Sequence, residues 1–142
     1  MPAFKNIKKS LAKPKKLLMT GGKIKLNSNR IFSPFEIIQF VQKIHLNFTD
    51  FEEGDIVDRI HENSQYILTK VYLNEIEEVP YYIDESLVDE YCKMDPNTMP
   101  PVVLGKPYGK NNLFPIIDGG HRITAKIKLK HKKIWAYIPN TT

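Results

Sequence analysis

The chain has 142 residues, 42% of them hydrophobic, with a mean hydropathy of −0.36. That suits one domain with a short arm, and no run reaches the roughly 18 apolar residues of a membrane helix. The net charge of +5 is segregated: residues 1–30 hold nine Lys/Arg and no acid, residues 50–90 hold thirteen of the sixteen acids, and residues 106–133 hold eight Lys/Arg against Asp118 alone.

Such segregation suggests an anionic partner for both ends of the chain. The N-terminus lacks the apolar core of a signal peptide, so a cytoplasmic or nucleoid-associated protein is expected, not a secreted one and not one with a membrane partner. Cys92 is the single cysteine, which excludes an internal disulfide and a four-cysteine zinc site.

Residues 1–22 read as a basic arm: Lys5, Lys8, Lys9, Lys13, Lys15 and Lys16 are scattered among prolines and end at Gly21-Gly22. A short extended piece is expected around Ile24 and Leu26. Ser33-Pro34-Phe35-Glu36 is a capping box with proline in the first turn, and Ile37, Ile38, Val41 and Ile44 follow at helical spacing, predicting a helix over 34–46. Thr49-Asp50-Phe51-Glu52 repeats the signal before a shorter helix, delayed by Gly54, that carries Ile56, Val57 and Ile60. Residues 23–64 are thus taken as a helical extension in front of the main domain at 65–142.

From Gln65 to Tyr72 the β-branched and aromatic residues predict a strand. Asp84 caps a helix that reaches Met94, and Asp95-Pro96-Asn97 stops it. Val102-Val103-Leu104 is an apolar run, 105–112 is a turn, and Leu113 to Ile117 is a short strand. After Asp118-Gly119-Gly120, residues 123–129 alternate as a strand would. Lys133 to Ile138 closes the chain as a strand with Trp135 and Tyr137 on one face. These elements predict an α+β fold, a small mixed sheet with packed helices.

The most specific stretch is Phe114 to Arg122, in which an apolar strand delivers an acid, two glycines and a His-Arg pair. Glycines permit a sharp turn and a close ligand. A helix starting there would aim its free N–H groups where Arg122 points, which makes an anion site. Gly119, Gly120, His121 and Arg122 are the candidate phosphate ligands, Arg122 as a planar fork facing a cleft. Asp118 and His121 are the candidate catalytic pair, and Asp118 is also the candidate ligand for Mg²⁺. The bland alternative makes Asp118 a cap and pairs Arg122 with an acid of residues 50–90.

This pattern resembles the ParB/sulfiredoxin-like superfamily over about residues 67–138: Met99 to Leu104 matches its first strand, Ile116 to Arg122 its motif, Ala125 the small residue of the following helix and Ile134 to Ile138 its closing strand. The resemblance implies a helix over Gly120 to Lys130 with Ile123 and Ile127 inward, against the strand periodicity. It also implies a nucleotide- or phosphoester-binding domain: a phosphotransferase, nucleotidase or nuclease using Mg²⁺ with a nucleoside di- or triphosphate. Gly120 stands where sulfiredoxins place their catalytic cysteine, so sulfinic-acid repair is not expected. With Thr142 close behind the last strand, a partition protein with the usual helix-turn-helix is not expected. Lys130-His131-Lys132-Lys133 fills a turn where the family has glycine.

The alternative is a non-enzymatic nucleic-acid-associated protein that meets phosphates through the basic arm and the 126–133 Lys cluster. A third role lies in a larger assembly or homo-oligomer. His45, His61 and His131 show no metal spacing and read as surface or cap residues. Glu75, Glu77 and Glu78 offer a general base, or more plainly a solvated face.

Overall fold

The computed structural model describes residues 30–45 and 50–140. The basic arm and the piece around Ile24 and Leu26 lie outside the described residues. The fold is α+β, as expected. In chain order it runs β1 (Ile31–Phe32), α1 (Pro34–Ile44), α2 (Asp50–Ile60), β2 (Tyr66–Tyr72), α3 (Glu85–Lys93), β3 (Val102–Leu104), β4 (Ile116–Asp118), α4 (Gly120–Lys128) and β5 (Lys133–Pro139). The five strands form one mixed sheet in the order β1-β2-β5-β3-β4, parallel between β5 and β3 and antiparallel elsewhere. Among the described residues no helix is long and apolar enough to cross a membrane.

Local chemistry sets the helix starts. The Ser33 hydroxyl accepts from the Glu36 N–H at 3.2 Å while the Glu36 carboxylate accepts from the Ser33 N–H at 3.1 Å, so two orphan donors of α1 are satisfied. Asp84 caps α3 by accepting from the Ser86 N–H at 3.0 Å. The second helix begins at Asp50 and runs straight through Gly54, which does not delay it.

Pairing of β2 with β5 over seven residues puts Tyr66 and Leu68 on one face with Tyr137, and Val71 on the other with Ile134 and Ala136. The first face packs against Ile37, Ile38 and Val41 of α1 and Ile60 of α2, together with Val103 and Ile117. Residues 31–60 therefore share a core with the sheet, and the boundary expected at 64/65 divides no cores. The second face carries α4 through Ile123, and α3 packs beside α4 through Val88, Tyr91 and Ala125.

Two local expectations are corrected. The strand expected at 113–117 is Ile116–Asp118; Pro115 has no N–H to donate, and Leu113 and Phe114 make only single bridges, to Tyr108 and Ile76. Residues 120–128 are helical, but only Ile123 of the expected pair is buried, and Ile127 is exposed. At about 100° per residue the buried arc is centred on Arg122, Ala125 and Lys126, because Ala125 packs against α3. That rotation leaves Ile127 outside.

Candidate functional site

Asp118 ends β4, Gly119 makes the turn and α4 begins at Gly120. Gly119 has φ +116°, the left-handed region that favours glycine, and a Cβ there would strike the Val102 side chain and the Arg122 guanidinium. A Cβ at Gly120 would strike the Tyr81 phenol, whose oxygen accepts from the Gly120 N–H at 2.9 Å. Both glycines are therefore required by close approach.

Arg122 corrects the expectation of an open phosphate fork. Its side chain is 1% exposed, and its Nη2 donates to Asp118 Oδ2 at 2.9 Å and to the Pro101 carbonyl at 3.3 Å. The Tyr91 phenol also hydrogen-bonds the guanidinium, while Arg122 Nε is buried with no hydrogen-bond partner. The counter-anion is thus the acid of its own motif, four residues back, and not an acid of residues 50–90. The cause is geometric: helix α4 turns its first-turn Arg inward over the strand end, where a lone buried guanidinium needs a carboxylate.

The other oxygen of Asp118 reaches across the molecule. Oδ1 lies 2.8 Å from His45 Nε2, joining residues 73 positions apart, and the His45 side chain is 23% exposed. Burial would raise the Asp118 pKa, but the charges and hydrogen bonds of His45 and Arg122 overcome it and hold the carboxyl well below the usual carboxylate range. Asp118 thus stays an anion at neutral pH with both oxygens engaged. It does not fit the role of Mg²⁺ ligand, since a cation there would have to displace Arg122 or His45. Among the described residues no group of three His, Cys, Asp or Glu side chains gathers as a metal site.

His121 also points elsewhere than expected. Its Nε2 accepts from the Asp84 N–H at 3.0 Å, which requires the neutral ring with its proton on Nδ1. Burial lowers its pKa, the Arg122 and His45 charges add to that, and the attraction of Asp84 and Asp118 does not reverse it. Together the Tyr81 and Asp84 contacts tie the loop before α3 across the N-terminus of α4. Burial, with Asp118 nearby, pushes the Tyr81 phenol above its usual range, so a neutral hydroxyl meets the Gly120 N–H.

Sequence reasoning missed four contributors. His45 sits at the end of α1 as a cap, but its ring is the long-range partner of Asp118, and no short spacing could reveal that. Tyr81 and Tyr91 contact Gly120 and Arg122. Arg59 of α2 donates to the Ile116 carbonyl at 2.9 Å and so braces the strand that ends at Asp118. Glu77 is such a brace as well: it accepts from the Ile116 N–H at 2.8 Å and from the Tyr108 hydroxyl at 3.0 Å, a structural use where a solvated face or a general base was expected. The arm residues Lys5, Lys8, Lys9, Lys13, Lys15 and Lys16 lie outside the described residues.

No protein-family model matches the chain, and no curated protein matches its sequence significantly.

Proposed function

We propose that this domain binds a nucleotide or other phosphoester at the β4–α4 junction and acts on it by proton transfer through His45. The supporting observation is the buried anion Asp118 held between a buried guanidinium and a partly exposed imidazole. A carboxylate so placed fixes the orientation of a histidine ring, the job of an orienting acid behind a general acid–base group. Arg122 works from beneath by keeping Asp118 charged and in place. The first-turn N–H groups of α4 supply the positive end toward which a phosphate is drawn, and a ligand takes the Gly120 N–H over from Tyr81. The resemblance of Ile116 to Arg122 to the ParB/sulfiredoxin-like superfamily favours the same ligand class, and a cytoplasmic or nucleoid-associated setting goes with it.

The test is a thermal-shift screen of ATP, ADP, CTP and GTP, each with and without Mg²⁺, on the wild type and on His45→Ala. One nucleotide should raise the melting temperature in a concentration-dependent way. Turnover of that nucleotide or of a generic phosphodiester should fall at least a hundredfold in His45→Ala, the usual contribution of a positioned acid–base group. No shift with any nucleotide, or turnover indifferent to His45, refutes the assignment.

A further inference from the structure

The face of the sheet that α1 and α2 cover is only half covered. Along β2 the residues on that face are Tyr66, Leu68, Lys70 and Tyr72, and their register partners on β5 are Pro139, Tyr137, Trp135 and Lys133. The first half of this ladder is core. In the second half Lys70 and Lys133 are exposed, Tyr72 is 48% exposed and Trp135 is half-buried at the margin of the core. Two cations and two rings alternate there across neighbouring strands: Lys70 Nζ stands 5.4 Å from the Trp135 ring centre and Lys133 Nζ 4.7 Å from the Tyr72 ring centre.

We propose that this open half-face binds single-stranded nucleic acid, with Tyr72 and Trp135 stacking on successive bases and Lys70 and Lys133 meeting the phosphates beside them. The register supports that occupant. Tyr72 and Trp135 are diagonal neighbours on adjacent antiparallel strands, about 7–8 Å apart, a separation that one sugar–phosphate step bridges. Each lysine now rests on a ring; an exposed cation–π contact is worth less than a base stacked on the same ring, so the lysine swings to a phosphate as the base arrives. A duplex hides its base faces in its own stack and gains nothing from the rings. An acidic peptide can meet the lysines but gains nothing from the rings, because a ring face carries negative potential.

The platform goes beyond the phosphoester site and stands without it. Val103 is in register with both Tyr137 and Asp118. Two strand spacings, roughly 10 Å, separate β5 from β4.

Trp135 is the single tryptophan of the chain, so its emission reports on the platform alone. Titrating the full-length protein with an oligothymidine strand of about 12 nucleotides, within the site sizes of sheet platforms, should quench that emission saturably. Fluorescence anisotropy of the labelled strand should give the same midpoint. Tyr72→Ser should weaken binding about tenfold with unchanged folding, since the ring is on the surface. Lys70→Ser with Lys133→Ser should reduce the slope of log affinity against log salt by about 1.4, the share of two phosphate contacts on a single strand. Binding by anisotropy without quenching would place the strand on another lysine-rich segment and overturn the proposal. Equal quenching by poly-glutamate, or wild-type affinity in Tyr72→Ser, would overturn it too.

Discussion

Replacing Asp118 by Asn removes the one charge on which the junction depends while keeping its shape. Arg122, 1% exposed and 2.9 Å from the carboxylate, would be left as an unneutralised buried cation. Attraction between unit charges at that range is about 6 kcal/mol at an effective dielectric near 20, and breaking a buried pair from one side costs about 3–5 kcal/mol. Against a total of about 5–15 kcal/mol for a domain, this is a large fraction. At about 4 °C per kcal/mol for a chain of this size, the melting temperature should fall by about 12–20 °C. Urea denaturation followed by Trp135 emission checks it, with the midpoint lowered and the slope m unchanged. The pH dependence supplies a second arm. The folded pKa of Asp118 is depressed, so its stabilisation is complete above the unfolded value near 3.9 and is lost as pH falls below that toward the folded value. The gap between wild type and variant should therefore stay constant from pH 8 to 5 and close at more acid pH. Arg122→Met combined with Asp118→Asn should be less harmful than the two single effects added, because the double variant buries no lone charge. A loss below about 1 kcal/mol in Asp118→Asn, the range of a surface ion pair, would refute the description of this pair as buried and mutually dependent.

Three further outcomes are expected. The folded pKa of His121 is lowered, so the unfolded chain takes up the proton first; stability should drop as pH falls through about 6.5, by under 1.4 kcal/mol per pH unit because the ring is half-buried, and His121→Gln should remove that slope in urea titrations at pH 7.5 and 5.5. Lys130, just past the Leu129 C-cap of α4, has φ +63° and its N–H donates to the Ile127 carbonyl, so Lys130→Gly should raise stability by about 0.5–1 kcal/mol, read as a higher thermal midpoint. Glu77→Ala should cost about 1–3 kcal/mol by leaving the Ile116 N–H and the Tyr108 hydroxyl without their acceptor, a loss that denaturant titration resolves.

The parts legible in the sequence were those governed by neighbours in the chain. The Ser33 box, the Asp84 cap and the alternation of Ile134 to Ile138 each rest on residues within a few positions, and each is realised. Residues 120–128 were legible only through the family resemblance, since Ile123, Ala125, Ile127 and Leu129 also fit a strand. What local pattern could not convey was direction. Nothing near Arg122 in sequence says that its guanidinium turns back onto Asp118, because the burial that compels the pair comes from Pro101, Tyr91 and the packing of α3. The two-residue strand β1 was too short to show periodicity, and it exists because β2 offers an edge to it. His45 was invisible for a similar reason: its partner stands 73 residues away.

That last contact changes what the Asp-Gly-Gly-His-Arg stretch can be asked to do. Taken alone, the stretch is an acid, a flexible turn and two bases, and it could have made an open anion fork. Folded, its acid and its arginine neutralise each other, and its histidine is held by the backbone of Asp84. His45, which α1 supplies, keeps partial contact with solvent at this centre. Helix α1 is placed there by Ile37, Ile38 and Val41 against the sheet, so the N-terminal segment is not an appendage to a self-sufficient domain. Any chemistry at this junction depends on that packing. Loosening α1 by a core truncation such as Val41→Ala should disturb the site from a distance, with Asp118 and Arg122 still paired beneath it.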